Sequence, residues 1–144
     1  MPAPTRNPIP TPKSPPVCKK PPTASKGAAP GPETRILTAH VTGLVFASGL
    51  PGAINETITL RPIDAGYHWE GFTTAGDMFI TVGVFKNPAD DYYSLEIEYS
   101  VGGPPFFFKD WDDIKPRRYD PLEFAELSYE DPSTGDSATL IVMS

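Results

Sequence analysis

The side chains best suited by type to chemistry crowd into "KDWDDIKPRRYDP", residues 109 to 121. Asp110, Asp112, Asp113 and Asp120 could offer carboxylate oxygens to calcium, which gathers roughly six to eight oxygens per site. The stretch lacks the Asp-x-Asp-x-Asp-Gly run and the closing Glu of an EF-hand loop. Lys115, Arg117 and Arg118 lie among the acids, where they would repel a cation and neutralise the carboxylates. The expectation is a solvated, ion-paired loop without metal, with calcium on Asp110, Asp112 and Asp113 as the alternative.

His40 and His68 belong to separate strand-like stretches. Either would need a carboxylate beside it to act as base or ligand, and nothing in the spacing supplies one, so both are expected on polar strand faces. No Ser, His, Asp order with a nucleophile elbow is present. "VGGPP", residues 101 to 105, lacks the Lys and following helix of a phosphate loop. No enzyme and no cofactor are expected. Tyr67, Trp69, Phe72, Phe106, Phe107, Phe108 and Trp111 are numerous enough for a sugar-stacking platform, but a small sheet protein needs such residues for its core. The triplet Phe106, Phe107, Phe108 cannot all enter one core, because consecutive residues of an extended chain face opposite ways. At least one of them, with Trp111 nearby, is expected at an interface.

The elements carrying these residues read as strands. "RILTAHVTGL" sets Leu37, Ala39 and Val41 on one face, and "AINETITL" does the same with Ile54, Ile58 and Leu60. "YHWEGF" is a short strand. "DMFITVGVF" has Met78, Ile80, Val82 and Val84 on one side and Phe79 and Phe85 on the other, as a central strand would. "YYSLEIEYSV" sends Tyr93, Leu95, Ile97, Tyr99 and Val101 inward, and Ser94, Glu96, Glu98 and Ser100 to water. "PPFFFKDW" opens on Pro104 and Pro105, which bring no ladder donors, so it is placed at an edge or in a loop. "FAELSY" and "ATLIVMS" form a hairpin across "EDPSTGD", with Pro132 seeding the turn and Gly135 accepting positive φ. About seven or eight strands without a helix predict an all-β fold, an antiparallel β-sandwich or small barrel.

That domain is expected over residues 34 to 144, preceded at residues 1 to 33 by an arm of different composition that holds 11 of the 19 prolines. Residues 1 to 35 carry six Lys or Arg against one Glu, and residues 36 to 144 carry six against seventeen acids. The arm is near +5 and the body near −11 by difference. Proline fixes φ and removes donors, so the arm favours extended polyproline II and cannot bury a core of its own. Pro15, Pro16, Lys19, Lys20, Pro21 and Pro22 are its candidate partner-binding residues. The acidic body disfavours direct nucleic acid binding, and no apolar run approaches the roughly 20 residues of a membrane span. No apolar leader follows Met1. Cys18, the single cysteine, is read as an incidental thiol without an internal partner.

The order Val41-Thr42-Gly43-Leu44, then Asn55 to Leu60 as "NETITL", then Trp69-Glu70-Gly71, then "SLEIEYS", resembles small all-β modules of bacteriophage and environmental bacterial proteins. The match covers about 60 residues. It departs from the usual pattern at Glu56, where Gly is common, and in lacking cysteines beside the tryptophan. The resemblance implies a β-sandwich with no catalytic residues. Joined to the basic arm, it leads to an expected structural role in an assembly: a virion component, either capsid decoration, cement or fibre-attached, made in the host cytoplasm. The expected partners are protein subunits of that assembly, copies of this chain included. The alternatives are a carbohydrate- or surface-binding module and an arm-exchanging extracellular filament subunit.

Overall fold

The computed structural model describes residues 35–63 and 67–144. The arm residues Pro15, Pro16, Lys19, Lys20, Pro21 and Pro22 lie outside the described residues, as does Cys18. The described chain has ten strands and no helix: β1 (Leu37–Leu44), β2 (Ala53–Ile63), β3 (His68–Ala75), β4 (Met78–Lys86), β5 (Tyr93–Ser100), β6 (Phe107–Ile114), β7 (Arg118–Tyr119), β8 (Leu122–Glu123), β9 (Leu127–Glu130) and β10 (Ser137–Met143). All pairings are antiparallel, in the order β6-β5-β4-β3-β2-β1-β10-β8-β7, with β9 also on β10. One sheet thus curls on itself as a half-barrel. Seven strands are long. The last-but-one strand expected over "FAELSY" is the shorter β9, and two short strands the sequence did not suggest, β7 and β8, precede it.

Curling requires a strand that changes partners, and β2 is that strand. Ala53 to Leu60 pair with β1, while Arg61, Pro62 and Ile63 pair with β3. Pro62 brings no ladder donor at the point of exchange. Two glycines let backbones cross closely. A Cβ on Gly71 would lie 2.1 Å from the Thr59 carbonyl oxygen, and one on Gly43 would lie 2.1 Å from that of Ser137.

The concave side is the core, filled by the inward set of each strand: Leu37, Ala39 and Val41, then Ile54, Ile58 and Leu60, then Met78, Ile80, Val82 and Val84, with Ala138, Leu140 and Val142 from β10. The expected alternation holds at these positions, and in β5 through Tyr99. Val101 lies beyond β5 and is exposed, because the strand ends at Ser100 before Gly102 turns with φ 99°. Trp69 is fully buried, and its Nε1 donates to the Arg35 carbonyl at 3.0 Å, which anchors the chain as it enters β1. Tyr99 crosses the core and its hydroxyl donates to the Ser137 carbonyl at 2.8 Å. Burial, then the negative charge of Asp136, pushes that hydroxyl well above its usual pKa. The edges of the curl approach through side chains: the Phe107 and Tyr129 rings lie 5.9 Å apart and Lys109 Nζ stands 4.8 Å from the Tyr129 ring centroid.

The β9–β10 hairpin is present at its expected place. Asp131 N–H donates to the Asp136 carbonyl at 2.8 Å, and Gly135, at φ 83°, closes the turn by donating to the Asp131 carbonyl at 2.7 Å. Strand β6 lies at the edge of the sheet.

Candidate functional site

The convex side of β3 to β6 is the most chemically distinctive surface among the described residues. Cross-strand register sorts its side chains into rows. Glu70 faces Gly83, Gly83 faces Glu96, and Glu96 faces Asp110. The next row runs Phe72, Thr81, Glu98, Phe108, and the one beyond it Thr74, Phe79, Ser100. On the other side His68 stacks on Phe85 at 4.1 Å, and Ser94 Oγ donates to Asp112 Oδ1 at 2.8 Å.

Gly83 shapes the middle of this face. Glu96 folds over it, so a Cβ there would meet Glu96 Cγ at 3.2 Å and the Phe85 ring at the same distance. Glu96 therefore sits low, between other acids. Its carboxyl pKa is raised, first by burial and then by the charges of Glu98, Asp110 and Glu70. Among the described residues no cation pairs with Glu96, Glu98, Asp110 or Asp112. Beside these acids Phe72 and Phe108 are 66% and 48% exposed, and Phe79 is also open to solvent. Carboxylates interleaved with accessible phenyl rings suit a cation carried on an apolar stem, since the ring faces attract positive charge as the acids do.

A pH effect follows from Glu96. The folded protein holds this proton more tightly than the unfolded chain, whose carboxyl titrates near the usual 4.5, so ionisation costs stability as pH rises above that value. Glu96→Gln is expected to raise stability at neutral pH by roughly 0.2–1 kcal/mol, the range for a like-charge cross-strand pair. The gain should vanish by about pH 4, where both side chains are neutral. Thermal melts of both proteins across this range decide it; a gap independent of pH would refute the assignment.

The residues singled out from sequence are dispersed. Asp110 and Asp112 share the convex face, but β6 holds one more residue than β5 between Trp111 and Ile114. Asp113 occupies this bulge at φ 58°, a conformation aspartate tolerates better than most side chains. Asp120 lies in the β7–β8 turn, and β6 and β7 end the strand order at opposite extremes. Among the described residues no group of acids, His and Cys is placed to hold a metal ion. The expected ion-paired loop is corrected: Arg117 approaches Glu123 at 3.8 Å rather than those aspartates. The histidines are on polar faces, His40 Nε2 within 2.7 Å of Asn55 Oδ1 and His68 Nε2 within 3.9 Å of Glu70.

The aromatic platform divides. Trp69 and Phe107 are buried, Phe107 stacking on Tyr99 at 4.6 Å, so Phe107 is corrected from interface to core. Trp111 is half-buried against the core, Phe108 turns outward, and Phe106 packs at the end of the sheet, 6.2 Å from Tyr99. The exposed member of the triplet is thus Phe108. Nothing in the sequence joins Glu70 to Glu96 and Glu98, because they become neighbours only through strand order. No protein-family model, curated protein or solved structure matches this chain.

Proposed function

We propose that this chain is a structural subunit of a larger assembly, a virion component of the capsid-decoration, cement or fibre-attached kind. In this reading the body is a sandwich-like β domain, and basic segments of neighbouring subunits, the arm of another copy foremost, lie on the convex face of β3 to β6. The observation that carries it is the segregation of charge. Six Lys or Arg against one Glu stand in residues 1 to 35, while the body presents Glu96, Glu98 and Asp110, which pair with no cation among the described residues, beside exposed Phe72 and Phe108. A polyproline segment loses little conformational entropy when it is bound, and exposed rings beside acids offer it both apolar and cationic contacts. The resemblance to phage modules supports the virion setting.

Sedimentation of the full chain tests this reading. At about 50 mM salt it is expected to self-associate, and at about 500 mM to dissociate, as charges outside the screening length cease to act. Replacing Glu96, Glu98 and Asp110 together by Lys, or Lys13, Lys19 and Lys20 together by Glu, should each abolish association while circular dichroism stays unchanged. Combining the two sets should restore it in part. Monomers under every condition, with saccharide binding seen by titration calorimetry, would replace this reading with the carbohydrate-binding one.

A further inference from the structure

At one end of the sheet a cleft of about 320 Å³ opens between Phe46 and Ala47 of the β1–β2 loop, Phe106, and Thr134 and Asp136 of the β9–β10 turn. Asp136 is the buried charged residue of the described chain, at 3% exposure. Its Oδ1 accepts the Phe46 N–H at 2.8 Å, and among the described residues no donor meets Oδ2. A carboxylate removed from water with one oxygen unmatched is costly unless a donor, best a cation, reaches it.

The walls are built as deliberately as the floor. Phe46 is 64% exposed, although the loop around it is tied down by Val45 N–H donating to the Gly52 carbonyl at 3.0 Å. Its ring lies over Gly135, where a Cβ would come within 3.2 Å of Cε2. Phe106 closes the other side, two residues before Phe108 of the convex face. Two phenyl walls above a half-satisfied buried carboxylate match a lysine side chain, whose methylenes suit the rings and whose ammonium suits the acid.

We propose that this cleft receives a lysine of the proline-flanked segment, residues 5 to 22, from a second copy of the chain, Lys13, Lys19 or Lys20 being the candidates. The choice of occupant rests on the assembly reading above. The second copy follows from the assembly reading, since reach alone admits either copy. The chain enters the body at Arg35, held by Trp69 Nε1 and by its own guanidinium donating to the Tyr119 carbonyl at 3.1 Å. Phe46 lies past the far end of eight-residue β1, roughly 26 Å away at about 3.3 Å per residue. Lys19 is 16 residues before Arg35, a reach of roughly 50 Å if extended. A strap of this reach spans the distance between neighbouring copies, and a stiff proline-rich chain turns back on its own body less readily than a flexible one. The contact is then head to tail, which builds rings or filaments.

The test uses the full-length chain and a synthetic peptide of residues 5 to 22. Calorimetry should show binding to the wild-type chain, with affinity lowered about tenfold or more by Asp136→Asn and, separately, by Phe46→Ala. Phe46 is mostly exposed, so its variant keeps the fold even if Asp136→Asn does not. A peptide with all three lysines changed to Gln should lose a comparable factor. In sedimentation, Phe46→Ala should weaken self-association of the full chain. Peptide binding that ignores both variants but fails with the Glu96, Glu98 and Asp110 substitutions overturns the cleft and leaves the assembly reading standing. Equal binding of the Gln peptide overturns the lysine. A chain that stays monomeric, and binds peptide only once its own arm is charge-reversed, overturns the second copy.

Discussion

Trp69→Ala is expected to destabilise the domain by about 3–5 kcal/mol, a fall in melting temperature of roughly 15 °C or more for a body of this size. Two losses combine. The indole is fully buried among β-strand residues and lies 6.5 Å from the Tyr93 ring, itself edge-on to Phe124 at 5.0 Å, so its removal opens a cavity that a sheet held on both sides closes poorly. The Arg35 carbonyl also loses its donor, which frees the start of β1. Trp69→Phe separates these contributions, since it keeps most of the apolar volume and none of the hydrogen bond; a loss of about 1–3 kcal/mol is expected. Urea unfolding of the three proteins measures both. A loss below about 1 kcal/mol for Trp69→Ala would mean that the site collapses freely and that the tryptophan does not pin the curl.

The second large effect is expected at Gly71. An added methyl there would stand 2.1 Å from the Thr59 carbonyl oxygen and 3.0 Å from its carbonyl carbon. These are backbone atoms of β2 that no rotamer change can move aside. Gly71→Ala is expected to cost about 3 kcal/mol or more, at or beyond the upper end for overpacking, because β2 and β3 must separate at the point where the sheet turns. Gly43→Ala should behave alike, its Cβ meeting the Ser137 carbonyl oxygen at 2.1 Å. Gly52→Ala and Gly103→Ala meet nothing within 4 Å and should stay within about 0.5 kcal/mol of wild type. Chemical denaturation of these four variants checks the contrast. Equal stability across the set would show that the close crossing of β2 and β3 does not hold in solution.

Much of the fold could be read from side-chain alternation. In "SLEIEYS" each residue's neighbours at i±2 share its polarity, as Ile80, Val82 and Val84 do in "FITVGV", and this local repeat already says which face meets the core. Pro104 and Pro105 left the following stretch as an edge strand or a loop, and β6 is an edge strand. The misreadings arise where neighbours distant in sequence decide. The alternating stretch "AINETITL" stops at Leu60, yet β2 continues through Pro62 to Ile63 because β3 takes over as partner. Phe107, not Phe108, turned inward because Tyr99 offers it a stacking partner across the β5–β6 register. Asp110, Asp112 and Asp113 look like one cluster in the sequence, but a bulge sets Asp113 apart from the other two.

The candidate surfaces follow the same division. Alternation along each strand told which residues of β4 and β5 share a face, and composition alone separated a basic proline-rich stretch from an acidic body. Only the tertiary structure decided that Glu70, Gly83, Glu96 and Asp110 form one row, and that Phe46, Phe106 and Asp136 line one cleft. Facing is a property of the pleat and is written locally, every second residue. Adjacency across strands, and the closeness allowed by Gly43 and Gly71, depends on register and curl, which are fixed by contacts between segments far apart in the chain.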